Sequence, residues 1–221
     1  MNTLNVMNGI NAALILSGGS ASRFGNGLLK QYRPLCGKEV IAYSVEAMKN
    51  SQADAIVIVC EPASAERLSE TYGADCVAGG KSRNASLKNG LDFIKNNYPN
   101  CNKVLINEAA RPFLTAELAG LYFNYLDKYD AVITAQHITD SLGCIGEAVT
   151  DRSRYYLIQA PEAFRFELLY RHFKADSPIT ATVQQLPPES SVMKHFEFKN
   201  NMKITYMDDL LLAEQLMKAY R

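Results

Sequence analysis

The chain reads as a doubly wound α/β fold with a mostly parallel sheet and an inserted β-arm. Three observations predict it: apolar runs of strand length, amphipathic segments of helix length between them, and one stretch that breaks the alternation. AALILS (12–17), AIVIVC (55–60), KVLIN (103–107) and AVITAQ (131–136) are apolar on both faces, as buried parallel strands are. VIAYSVEAMKN (40–50), SAERLSETYG (64–73), RNASLKNGLDFIKNN (83–97) and TAELAGLYFNYLDKY (115–129) carry helical periodicity. Thr115 suits an N-cap, although Leu118 stands where a capping box would place a glutamate, and Gly73 suits a helix end.

Residues 137–160, HITDSLGCIGEAVTDRSRYYLIQA, depart from this pattern and read as a hairpin excursion with a charged turn at Thr150 to Ser153. Such an arm suits an oligomer contact. Beyond it come a helix near 165–174, a strand HFEFK (195–199) and a final helix from about Asp208. A length of 221 residues suits one domain, 1–221, able to bury a sizeable core without disulfides. In a doubly wound sheet ligands bind beyond the carboxyl ends of the strands, so the loops after 17, 77, 107 and 136 are where chemistry is expected.

Composition narrows the function. Lys plus Arg and Asp plus Glu balance at 23 each, so no overall field draws the chain to nucleic acid or to an anionic membrane. The five cysteines form no C-x-x-C pair and read as reduced thiols of a cytoplasmic protein. No apolar stretch approaches the length of a membrane span, and the first residues do not have the makeup of an export signal.

The first strand runs into SGGSASRFGNGLLK (17–30). The dinucleotide fingerprint G-x-G-x-x-G fails from Gly19 onward, and the P-loop finds only a decoy at Gly80-Lys81-Ser82, whose required first glycine falls on Asp75. There remains a glycine-rich turn bearing two cations, Arg23 and Lys30. Glycines let backbone N–H groups approach phosphate closely, and the cations can neutralise charge that grows during transfer.

These residues, with several later segments, resemble the methylerythritol-phosphate and ribitol-5-phosphate cytidylyltransferases. The similarity runs through LSGGSASRFG…LKQYRPLCGKEV, GGKSRNASLKNGL (79–91) for GGxxRxxSVxxGL, and NEAARP (107–112) for HDAARP. It continues through TDS (139–141), QAPEAF (159–164) for QTPQxF, and NMKIT…DDLLLAE (201–214). The resemblance implies a Rossmann-like fold and a reaction of CTP with a small polyol or sugar phosphate, 2-C-methyl-D-erythritol 4-phosphate in the main reading. It also implies Mg²⁺ and a homodimer joined through 137–160.

By the same resemblance Arg23, Lys30 and Lys203 are catalytic. Ser17, Gly18, Gly19, Gly79, Gly80, Arg83, Ser86, Glu108 and Ala109 bind the nucleotide, with Ser86 reading the base edge and Glu108 near the metal. Arg111, Thr139 and Asp140 face the acceptor, Arg111 reaching a neighbouring subunit's substrate. Three departures stand out: Leu29 replaces a proline, which loosens the loop but removes no chemistry, Thr139 replaces an arginine, and ITATVQQL (179–186) lacks the acidic pair of TDDAS. Two alternatives therefore stand: a ribitol-5-phosphate-type enzyme, and a catalytically silent nucleotide-binding homologue.

The bland readings are equally concrete. Arg111-Pro112 also suits a helix start with a surface ion pair, and Lys203 a solvated edge lysine. His137, His172 and His195 show no partner spacing, and Tyr122, Tyr125 and Tyr129 read as core.

Overall fold

The computed structural model describes residues 9–18, 29–146 and 151–219. Gly19, Arg23 and Thr150 lie outside the described residues. Strand β1 (Ile10–Leu16) is an interior strand of a seven-stranded sheet, flanked in parallel by β4 (Ala55–Cys60) and β6 (Cys101–Glu108). The order is β5-β4-β1-β6-β8-β7-β9, with β5 at Asp75–Ala78, β7 at Ala131–His137, β8 at Tyr156–Arg165 and β9 at Val192–His195. Only β8 runs antiparallel to its neighbours, β6 and β7. A small hairpin, β2 (Pro34–Leu35) and β3 (Lys38–Glu39), stands apart.

Both faces of the central strands are apolar for a reason that the helices make plain. Ala13, Ile15, Ile58 and Leu105 point to one face, under α1 (Val40–Lys49), α2 (Ala65–Tyr72) and α4 (Ala116–Tyr125). Their neighbours Ala12, Leu14, Val57, Val59, Val104 and Ile106 point to the other, under α3 (Arg83–Asn97) and α5 (Phe166–His172). Alternation with period 2 thus feeds two cores, and neither face can accept a polar residue cheaply. A third cluster joins α6 (Met207–Ala219) to the hairpin through Leu35, Val40, Ile204, Leu210, Ala213 and Met217.

The caps follow the sequence. Thr115 accepts a hydrogen bond from the Leu118 N–H at 3.2 Å, and Gly73 closes α2 at φ 54°. Three expectations need correction. The strand expected at 195–199 lies at Val192–His195, because Phe196 leaves the sheet to stack on His137 at a ring separation of 4.3 Å. The short β5 was given no strand of its own, its DCVA run being too polar at its start to stand out, although the loop expected after 77 marks its end.

The third concerns the arm. Its strand character belongs to β7 and β8, which pair in the main sheet as far as His137 and Tyr156; residues 138–146 and 151–155 contain no strand. Pro161 hides β8 from a sequence reading, since proline normally interrupts a ladder. Here it sits at the register shift opposite Ile133 and Thr134, where no ladder bond is lost.

Helix α3 lies so close to the sheet that a Cβ on Gly90 would fall 2.4 Å from Leu14 Cδ1 and 2.9 Å from Val59 Cγ2. Gly90→Ala is therefore expected to push α3 outward and cost about 1–3 kcal/mol, against a gain of under about 1 kcal/mol in helix propensity. A lower urea midpoint at unchanged m-value is the expected result; an unchanged midpoint would contradict the close packing.

Candidate active site

The chain crosses from one side of β1 to the other between β4 and β6, and the resulting crevice is where open α/β sheets bind ligands. Leu16 and Glu108 stand opposite each other there, and the Ala109 N–H donates to the Leu16 carbonyl at 3.0 Å. A pocket of about 270 Å³ opens above them, lined by Ser17, Gly18, Lys30, Gln31, Arg83, Glu108, Ala109 and Lys203 among others. A second, of about 280 Å³, shares Arg83, Glu108 and Lys203 and adds Arg111, Ile158, Ala160 and Ala181. A third, of about 340 Å³, meets the first at Gly18 and is bounded by Leu29, Glu61, Gly79 and Gly80. A larger hollow of about 740 Å³ lies at the opposite, amino ends of β1 and β6, where its walls hold no convergent cations.

Glu108 is the electrostatic centre. Its carboxylate meets Lys203 Nζ at 2.8 Å, Arg111 Nε at 3.2 Å and Arg83 Nε at 3.5 Å. Burial alone would raise its pKa, but Lys203, Arg111 and Arg83 outweigh burial and bring it down to about 2. Arg111 is itself buried, which lowers its pKa, while Glu108 pulls the other way. Its Nη1 donates to the Asn201 carbonyl at 2.8 Å, so it is an interior cation of its own chain's pocket rather than a partner in a surface ion pair. Lys203 is placed by backbone: the next residue, Ile204, is fully buried and donates its N–H to the Ala110 carbonyl at 2.9 Å.

The glycine turn is shaped by neighbours in sequence and in space. Gln31, in the 3₁₀ turn Lys30–Tyr32, donates its side-chain amide to the Ser17 carbonyl at 2.6 Å, tying the basic segment to the end of β1. Tyr32 is buried, which pushes its phenol up to about 12, and its hydroxyl donates to Glu61 Oε2. At α3, Ser82 N-caps the helix by accepting from the Ala85 N–H, and Ser86 Oγ accepts from the Gly80 N–H at 2.9 Å. A Cβ on Gly80 would lie 2.5 Å from that of Ala85, so the turn closes this tightly only with glycine.

Of the residues singled out by sequence, Ser17, Gly18, Lys30, Arg83, Glu108, Ala109, Arg111 and Lys203 converge on the first two pockets, and Gly79 and Gly80 wall the third. Ser86 is buried and its hydroxyl is engaged with Gly80. Thr139 and Asp140 are exposed on the loop after β7 and line none of these pockets. Sequence reasoning assigned no role to Gln31, Glu162, Thr180, Asn201 or Ala160. Gln31 and Glu162 stood inside quoted motifs, and their polarity within apolar surroundings was the available signal. Tyr122 is core as read, its hydroxyl paired with Thr134 Oγ1 at 2.7 Å.

The model of the family described as 2-C-methyl-D-erythritol 4-phosphate cytidylyltransferase matches residues 11–219. The chain belongs to that family. Its members are nucleotidyltransferases that work on CTP. The enzyme of that name from Clostridium acetobutylicum is 29% identical, with 95% of this chain and 98% of that one covered. The bifunctional enzyme IspD/IspF of Ruegeria sp. (strain TM1040) is 30% identical over 94% of this chain, which spans 56% of that longer protein. Among solved structures, the 4-diphosphocytidyl-2C-methyl-D-erythritol synthase of Anaerococcus prevotii superposes with a TM-score of 0.80 at 24% identity, covering 95% of this chain and 99% of that one. The family relationship accounts for the α/β fold. Among the described residues no helix is long and apolar enough to cross a membrane.

Glu108 links the site to stability. Its folded pKa lies below the unfolded carboxylate value of about 4.3, so its contribution is complete above that pH and is lost as pH falls toward 2. The depression corresponds to about 3 kcal/mol. Denaturant unfolding at pH 6 and pH 3 should show a little over half of that loss, about 1.7 kcal/mol, in the native protein, because pH 3 still lies above the folded pKa, and a shallower loss in Glu108→Gln; equal losses would deny Glu108 this role.

Proposed function

We propose that the protein transfers the cytidylyl group of CTP to 2-C-methyl-D-erythritol 4-phosphate. An acceptor phosphate oxygen bonds to the α-phosphorus, the bond to the bridging oxygen breaks, and pyrophosphate leaves with the electron pair. The observation that carries this reading is the convergence of Lys30, Lys203, Arg83 and Arg111 around one ionised Glu108 at the switch point of a family member. Such chemistry asks the protein for alignment and charge stabilisation rather than covalent participation.

The three contiguous pockets suit three parts of the reactants. The glycine-walled pocket at Gly79 and Gly80 takes the pyrimidine, the central one the triphosphate beside Lys30, and the one bounded by Arg111 and Ala181 the acceptor. Lys203 stands between the last two and is aligned to hold the transferring phosphate and the attacking oxygen together. Arg23 adds a cation by its family position. Arg111 and Arg83 supply charge for the acceptor phosphate, and Ile158, Ala160 and Ala181 offer apolar surface for a methyl branch. That apolar wall favours methylerythritol phosphate over unbranched ribitol phosphate.

Mg²⁺ fits this donor set as an ion shared with the triphosphate. Glu108 is ionised and lines the triphosphate pocket, and among the described residues no group of three or more His, Cys, Asp or Glu forms a ready-made cage. One carboxylate plus phosphate oxygens is a common Mg²⁺ shell, and the ion would supply charge neutralisation on the leaving pyrophosphate. The exposed Thr139 and Asp140, with Tyr155 and Leu157 half exposed nearby, support a homodimer in which the arm serves a partner's acceptor. The five free thiols support a cytoplasmic location.

Pyrophosphate release from CTP and Mg²⁺ is expected with methylerythritol 4-phosphate in preference to ribitol 5-phosphate and glycerol phosphate. Silence with all three would refute the reading. Lys30→Ala should lower turnover by about a hundredfold or more while CTP affinity falls much less, as for a transition-state contact. Equal losses in turnover and affinity would assign Lys30 to ground-state binding. A monomeric mass by sedimentation would remove the dimer.

A further inference from the structure

Glu162 is a carboxylate in the sheet interior, 2% exposed, and the established chemistry gives it no task. It lies on β8 opposite Ile106 of β6 and Ile133 of β7, among apolar strands. Burial pushes its pKa up, against Arg83, the Val183 N–H and Thr182, which favour the charged form. An apolar or amide side chain there would avoid that penalty.

Its contacts explain what it is placed to do. Glu162 Oε1 lies 3.7 Å from Arg83 Nη2, and Oε2 accepts from the Val183 N–H at 3.1 Å. Arg83 Nη1 in turn donates to the Thr180 carbonyl at 2.9 Å and approaches Thr182 Oγ1 at 3.4 Å, while its Nε faces Glu108. One guanidinium is thus fixed between β6, β8 and the 180–183 turn. Thr180, Ala181, Arg83 and Glu162 all line the acceptor pocket. The turn itself supplies no carboxylate, since residues 179–186 read ITATVQQL. Without Glu162, Glu108 would be the one carboxylate among the described residues against which Arg83 is held, and the Val183 N–H would lose its acceptor.

We propose that Glu162 is a positioning residue: it locks the Arg83 guanidinium and the 180–183 turn into one wall of the acceptor pocket, and so sets acceptor affinity. The inference rests on the functional reading above. Loss of a charge-assisted contact predicts that Glu162→Gln raises KM for 2-C-methyl-D-erythritol 4-phosphate by about tenfold or more. KM for CTP should rise by no more than about threefold, because the turn does not reach the triphosphate pocket and Arg83, which borders both pockets, keeps its pairing with Glu108 there.

Thr182 already points at Arg83, so Thr182→Asp in the Glu162→Gln background returns the carboxylate to the same guanidinium from the turn side. That double variant should recover acceptor KM. Equal rises in both KM values, unchanged kinetics, or a folded double variant with acceptor KM still raised would each overturn the proposal. If Glu162→Gln alone does not fold, the double variant decides by the same measure. Failure of both to fold would make Glu162 a residue of the core and overturn it too. Wild-type pyrophosphate release is measured first: its absence defeats the functional reading and this inference together, whereas its presence with an unaltered Glu162→Gln defeats this inference alone.

Discussion

Three cations share one buried carboxylate, and the site is organised by that arithmetic. Lys203, Arg111 and Arg83 come from segments far apart in sequence, and Glu108 is the group all three touch. Cations so close repel one another, and burial disfavours Arg111 in particular. The carboxylate at the end of β6 makes their assembly tolerable, with surplus positive charge left for an incoming polyanion. A triphosphate then meets a surface whose charges were brought together during folding, so little reorganisation is needed when it binds.

The sheet supplies the geometry that this arrangement needs. Parallel β1, β4, β5 and β6 present their carboxyl ends along one edge, and the three pockets lie along it in a row. The antiparallel β8 extends that edge with residues from a later part of the chain, Gln159, Ala160 and Glu162. The two pockets that meet at Gly18 are thus walled mostly by the parallel half, and the one bounded by Arg111 and Ala181 mostly by the mixed half.

Much of this was legible in the sequence because it rests on local patterns. Strands apolar on both faces announced a covered parallel sheet, and the glycine turn with Lys30, the GGKSRNAS segment and NEAARP marked three loops that meet in the crevice. What stayed hidden depended on contacts between distant residues. Pro161 concealed a ten-residue strand, since no local rule says that a register shift will excuse a proline. The inward turn of Arg111 toward Asn201 and the tether of Glu162 to Val183 join residues 90 and 21 positions apart, and no spacing rule reaches so far. Ser86 kept its place but not its expected freedom, because the hydroxyl holds Gly80.

The bond from Ile204 to the Ala110 carbonyl has a consequence for how the site is completed. The sheet core up to β8 is specified by residues before 166, yet Lys203 reaches Glu108 only once Ile204 is seated and α6 has closed the third core cluster. The charged site therefore depends on the end of the chain twice over, since residues 201–204 bring both Lys203 and the Asn201 carbonyl to which Arg111 is tied.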